Sequence, residues 1–170
     1  MFALVLTGPP GAGKSEVASS LHDSLGEAGV DAALLEVDAL ERSYPPIDRE
    51  RSISHLATLA SSYREIGTDL LIVTATLEDD AYRQAVFEAT GADRHLLVRL
   101  EAEPETLRER LLAREPPGWE GLPELLNASR ALAASMKELA GVDVVLSTEG
   151  EQPAAVAAQV EAVLRERQSN

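Results

Sequence analysis

Eight residues near the start of the chain have the types and spacing of a phosphate cradle. Gly8-Pro9-Pro10-Gly11-Ala12-Gly13-Lys14-Ser15 fits the pattern G-x-x-x-x-G-K-[ST]. The glycines let backbone N–H groups turn inward around a polyphosphate, and the Lys14 ammonium can reach its β- and γ-phosphates. The Ser15 hydroxyl is the candidate Mg²⁺ ligand. ATP and Mg²⁺ are the expected ligands, with Gly8, Gly11, Ala12, Gly13, Lys14 and Ser15 as the binding residues.

Two further groups have the right chemistry for phosphoryl transfer. Glu36 and Asp38 end an apolar run, and an i, i+2 spacing puts both carboxylates on one face of an extended chain. Transfer to an alcohol needs a carboxylate that orients the hydroxyl and accepts its proton. Asp38 is the candidate base, and Glu36 is a candidate for the Mg²⁺ side. A structural role for Asp38 is compatible with this, because Asp38-Ala39-Leu40-Glu41 also fits a capping box. Arg110 and Arg114 stand four apart on a helical segment. Arg114 is the candidate for stabilising charge on the transferring group, and Arg110 for contacting adenine. The alternative is a solvated helix face paired with Glu109 and Glu115. Arg51 and His55, also four apart, are candidates for an acceptor side, and a surface helix face explains them equally well.

The elements that must position these residues alternate between strand and helix. Phe2–Thr7 reads as a strand leading into the loop, and a helix follows with Val17, Ala18, Leu21 and Leu25 on one face, stopped near Gly26 and Gly29. Ala32–Val37 is a second strand. Asp48 is the expected N-cap of a helix over Arg49–Ile66, with Gly67 as its stop. Leu70–Ala75 is continuously apolar and is expected to be buried on both faces. A helix from Asp79 or Asp80 to Thr90 ends at Gly91. Leu96–Leu100 is a strand, Pro104–Arg114 a helix, and Glu124–Leu139 an Ala-rich helix. Val142–Leu146 is the last strand, and Pro153–Arg167 the last helix. Five strands alternating with helices imply an α/β, three-layer P-loop NTPase fold, with a five-stranded parallel sheet and helices on both faces. The chain reads as one domain over 1–170, with a short Pro/Gly-rich lid near 115–123. Trp119 in that lid is expected to anchor the loop to the core.

The phosphate loop, then Val37-Asp38-Ala39-Leu40 and Tyr44-Pro45, resembles the small P-loop kinases of the chloramphenicol phosphotransferase-like group, which are similar in turn to shikimate and gluconate kinases. That resemblance implies a base role for Asp38, a lid entered through Arg110-Leu111-Leu112-Ala113-Arg114, and an adenine-side loop after Val142–Thr148. One departure is that Leu70–Leu77 contains no Asp where a Walker B carboxylate would stand. Thr74 and Thr76 occupy the region, leaving Mg²⁺ to Ser15, phosphate oxygens, water and the acids of strand two. Nothing in the sequence selects an acceptor.

The expected function is therefore transfer of the ATP γ-phosphate to a hydroxyl of a small molecule. The alternatives are a nucleotide-binding switch or regulatory ATPase, or a nucleoside-monophosphate or polynucleotide 5′-kinase. A net charge of −14 argues against a nucleic-acid backbone as partner. With no cysteine, disulfides and thiolate metal sites are excluded. With no signal-type or membrane-length apolar stretch, a cytoplasmic protein without a membrane partner is expected. Oligomeric state is not legible.

Overall fold

The structure, a computed structural model, describes residues 1–169. Five parallel strands form one sheet: β1 (Phe2–Thr7), β2 (Ala32–Glu36), β3 (Leu70–Thr74), β4 (Arg94–Glu101) and β5 (Val144–Ser147), in the spatial order β2-β3-β1-β4-β5. β1 pairs with β3 from Phe2↔Leu70 to Leu6↔Thr74, and with β4 from Phe2↔Arg94 to Thr7↔Arg99. Every residue of β1 and β3 is buried, as their unbroken apolar runs require of strands covered on both faces.

Strand alternation sends successive side chains to opposite faces, and two cores result. On one face Leu4, Leu6, Ile72, Leu96, Val98 and Leu100 pack with Val17, Ala18 and Leu21 of α1 (Lys14–Glu27) and with Val156, Val160 and Leu164 of α7 (Pro153–Ser169). On the other, Val5, Leu71, Val73 and Leu97 pack with Leu56 and Ala60 of α3 (Arg49–Glu65) and Val86 of α4 (Asp80–Thr90). The remaining helices sit at the carboxyl ends of the strands. They are the one-turn α2 (Val37–Leu40), α5 (Pro104–Arg114) and α6 (Leu122–Ser135), which a 3₁₀ turn (Met136–Glu138) extends.

The strand order dictates where a ligand binds. The chain leaves β1 towards β2 and leaves β3 in the opposite direction, towards β4. The crevice beyond the carboxyl ends of neighbouring β1 and β3 is therefore the topological switch point. The loop of Gly8–Gly13 occupies it.

Several local readings are refined by tertiary contacts. Pairing with the central strand β1 lengthens β4 to Arg94, and β5 starts at Val144. Gly26 lies inside α1, and Gly29, with φ 74°, makes the turn. Asp48 and Asp79 cap α3 and α4, accepting from the backbone N–H of Arg51 and Tyr82. The expected cap at Asp38 is absent: α2 begins at Val37, two residues earlier, with Glu36 in the cap position and no side-chain cap bond. Glu36 and Asp38 therefore do not share a strand face, because the chain turns helical between them.

Candidate active site

Two glycines of the loop are needed because backbone passes close by. A Cβ on Gly8 (φ 153°) would stand 2.4 Å from the Leu100 carbonyl oxygen, and one on Gly11 (φ 87°) 2.8 Å from that of Leu107. The loop is thus pressed against the end of β4 and against α5. Gly13 differs. It holds a left-handed conformation at the N-terminus of α1, and nothing lies within 4 Å of where its Cβ would be. The space in front of the first turn of α1 is open, at the end where a helix presents unpaired N–H groups and partial positive charge.

Lys14 is buried, and its ammonium donates to the Gly8 carbonyl at 2.9 Å and the Pro9 carbonyl at 3.5 Å. Burial lowers its pKa from the ordinary lysine value. The Asp38 carboxylate opposes that shift, Arg114 adds to it, and Glu16 and Glu36 oppose it more weakly. Side chains from β2, α2 and α5 thus converge electrostatically on one ammonium. A cation held by two carbonyls, an open helix N-terminus and the exposed hydroxyl-bearing Ser15 make a donor set that fits a magnesium-bound triphosphate.

Asp38 stands in the first turn of α2, exposed, and makes no hydrogen bond or ion pair among the described residues. Glu36 is partly buried and likewise without a partner there.

The two arginines of α5 diverge. Arg110 donates to the Gly11 carbonyl at 3.2 Å, to Thr148 Oγ1 at 2.9 Å and to the Thr148 carbonyl at 2.7 Å. It ties the phosphate loop to the segment after β5. Arg114, at the end of the helix, pairs with Glu115 through Nε at 2.7 Å and Nη2 at 2.6 Å. It stays close enough to act on Lys14. Of the two partners that a solvated face would offer, Glu115 is engaged by Arg114, whereas Arg110 is not held by Glu109.

Residues 115–121 form the loop between α5 and α6. Trp119 does not enter the core: it is 45% exposed, and its ring lies over Gly121, where a Cβ would stand 2.5 Å from it. The loop folds on itself because Trp119 and Leu122 bond back to Pro116 and Trp119 carbonyls. The anchor that sequence reading missed is Ser129 of α6, whose buried hydroxyl donates to the Pro10 carbonyl at 2.8 Å. A serine within an Ala-rich helix carries no signal of such a contact.

On the opposite side of the switch point, Arg49 of α3 is committed to Glu78 at 2.6 Å and lies over the Tyr82 ring at 4.2 Å. It joins α3 to the loop after β3. Arg51 and His55 are exposed, with no partner among the described residues. Where a Walker B acid would stand, Thr74 is buried and Thr76 half-buried. The Leu77 N–H donates to Thr7 Oγ1 at 3.1 Å, fixing the loop after β3 against the end of β1. Among the described residues no helix is long and apolar enough to cross a membrane.

Comparison with known proteins agrees with this geometry. The chain matches the AAA domain family model over residues 4–139. It is 30% identical over 149 residues to the adenylyl-sulfate kinase of Enterobacter sp. (strain 638), covering 84% of this chain and 67% of that protein. Its fold is similar to that of a sugar kinase from Janibacter sp. HTCC2649, with TM-score 0.71 at 18% identity over 97% of this chain and 95% of that one. It is also similar to the APS kinase of Mycobacterium tuberculosis in complex with AMPPNP and APS, with TM-score 0.68 at 19% identity over 96% of each chain. The family match runs from β1 through the 3₁₀ turn, so the phosphate loop, Asp38, α5 and α6 fall inside it: the chain belongs to the AAA-domain family of P-loop kinases.

Proposed function

We propose that the chain transfers the γ-phosphate of ATP to a hydroxyl of a small molecule, with Asp38 as the base. The observation that carries this reading is the state of Asp38. Its carboxylate is free of hydrogen-bond and ion-pair partners among the described residues, yet among charged groups it acts most strongly on the loop lysine. A carboxylate with only a capping role would be consumed by backbone N–H groups, and this one is not.

The chain's own residues then divide the work. The loop amides and Lys14 hold the β- and γ-phosphates, with Lys14 leaving the Gly8 carbonyl for them. Ser15 would supply a hydroxyl to Mg²⁺, which when bound would neutralise charge on the phosphates. Asp38 takes the proton of the acceptor hydroxyl as its oxygen bonds to the γ-phosphorus. The bond from that phosphorus to the β–γ bridging oxygen breaks, and ADP leaves. Arg114 exchanges Glu115 for the transferring group when the lid closes. Arg110 holds the adenine side of the loop in place. Adenylyl sulfate, the acceptor named for the Enterobacter relative, is one candidate acceptor among sugars and other small alcohols.

The test is ADP release from Mg·ATP against a panel of adenylyl sulfate, sugars, nucleosides and small alcohols, with Asp38→Asn in parallel. The variant should bind nucleotide as the wild type does. Acceptor-dependent turnover should fall by about 10²–10⁴, the usual contribution of a positioned base. Turnover unchanged in Asp38→Asn would remove Asp38 from the chemistry. Slow hydrolysis indifferent to every acceptor and to Asp38 would favour a nucleotide switch.

A further inference from the structure

A cleft of about 270 Å³ opens between the carboxyl ends of β4 and β5 and the inner side of α6. Of the phosphate loop it touches only Pro9, and Lys14, Ser15 and Asp38 do not line it. Strand alternation places it. Leu96, Val98 and Leu100 of β4 and Val144 and Leu146 of β5 pack towards α1 and α7. Arg99 and Ser147, intervening in the sequence, therefore point to the other face of the sheet.

Its charges are arranged asymmetrically. Arg99 is largely buried, and its guanidinium donates to the Met136 carbonyl at 2.6 Å and to Glu101 at 3.2 Å. That carboxylate is thereby neutralised. Glu149 accepts from the Glu103 N–H at 3.0 Å and from Thr106 Oγ1 at 2.6 Å, bonds that turn it towards α5 and hold its pKa below the ordinary value. Glu103 stands exposed on the same β4–α5 wall, without a side-chain partner among the described residues. On the facing wall, Arg130 of α6 and Lys137 of the 3₁₀ turn line the cleft, and neither has a carboxylate partner among the described residues. In a chain of net charge −14, two cations left unpaired on one wall of one cleft are conspicuous. The cleft is smaller than the common size of drug-like sites, about 300–1,000 Å³, and suits a ligand of few heavy atoms.

We propose that this cleft is a second anion site, taking a small phosphate or phosphomonoester whose oxygens are held by Arg130 and Lys137, with the apolar remainder against Ala133 and Ala134. The walls are continuous with the phosphate loop through Pro9 and through the bond that Ser129, the residue before Arg130, donates to the Pro10 carbonyl. An occupant would therefore fix the α6 arm of the lid against the loop. The proposal stands independently of the phosphotransfer reading, because its readout is binding rather than turnover.

The test is titration calorimetry on the full chain saturated with Mg·AMPPNP, which fills the phosphate loop. Inorganic phosphate and glycerol 3-phosphate are the two probes. Binding should be weakened at least about tenfold in Arg130→Gln/Lys137→Gln and retained in Arg51→Gln, a cation lost on the acceptor side instead. Tighter binding of glycerol 3-phosphate than of phosphate would assign the site to a phosphomonoester, and equal binding to the free anion. A thermal melt checks that the double variant is folded. Absence of binding at millimolar probe would overturn the proposal. So would binding unaltered in the double variant, or binding lost equally in Arg51→Gln.

Discussion

The guanidinium of Arg110 grips both the side chain and the backbone of Thr148. It donates at 2.9 Å to the hydroxyl and at 2.7 Å to the carbonyl, while its Nη1 also reaches the Gly11 carbonyl. Thr148 is buried and is itself fastened to β4 by its N–H on the Glu101 carbonyl at 2.8 Å. One side chain thereby links α5, the phosphate loop and the end of β5. Arg110→Ala removes charged bonds to partly buried acceptors, each worth about 1.5–3 kcal/mol. Urea denaturation should register at least one such loss, and ATP affinity should fall with it. Thr148→Val should cost less, since it removes the hydroxyl's bonds from Arg110 and to the Glu101 carbonyl at 3.3 Å but leaves the Thr148 carbonyl and the Gly11 carbonyl to accept from Arg110. Full stability in Arg110→Ala would mean that the three bonds hold nothing in place.

The loop glycines should separate into two classes. Gly13→Ala meets no neighbour and incurs only the left-handed backbone cost, about 1–2 kcal/mol. Gly8→Ala adds a collision with the Leu100 carbonyl and should cost about 3 kcal/mol or more. The ordering of the two denaturation midpoints is the check, and equal midpoints would contradict the close approach. Nucleotide binding should suffer in both, because a Cβ at Gly13 projects into the space left for phosphate.

Ser129→Ala leaves the Pro10 carbonyl without its buried donor. A loss of about 1–3 kcal/mol is expected for an acceptor so orphaned. Hydrogen exchange should show the larger change in α6 and the loop, and little in β1–β3, whose pairing does not involve α6.

His95 makes stability pH-dependent. Its ring stacks on Phe87 at 4.5 Å, and Nε2 lies 2.9 Å from Thr90 Oγ1. Burial lowers its pKa below 6.5, with the Phe87 carbonyl partly opposing. The folded state therefore binds this proton less readily than the unfolded chain. Its contribution is complete above about pH 6.5 and is lost as pH falls through the lowered folded value. Thermal melts across that window, as wild type minus His95→Gln, should show a difference that shrinks on acidification. A difference that is flat with pH would exclude the neutral buried imidazole.

Much of this protein is legible in its residues. The G-x-x-x-x-G-K-S spacing located the phosphate cradle because its chemistry is carried by consecutive backbone groups, which need no tertiary partner to be recognised. The unbroken apolar runs of Phe2–Thr7 and Leu70–Thr74 marked central strands, since only burial on both faces tolerates them. Asp48 and Asp79 declared their helices for an equally local reason: a cap bonds three residues on. What the sequence left open are choices between distant partners. Arg110 and Arg114 share a helix and a spacing. One is bound to Gly11 and Thr148 and the other to Glu115, because only the fold decides what lies beside each turn of α5. The same holds for Ser129 on Pro10 and for Trp119 resting on its own loop rather than in the core. The end of β2 was decided there too. At Val37 the chain turns into α2 and its side chain enters the core with Leu56 and Leu77, and that burial leaves Asp38 uncapped and exposed, within electrostatic reach of Lys14. Periodicity reports which face of an element is apolar. It does not report which other element will meet that face, and the site is assembled from such meetings.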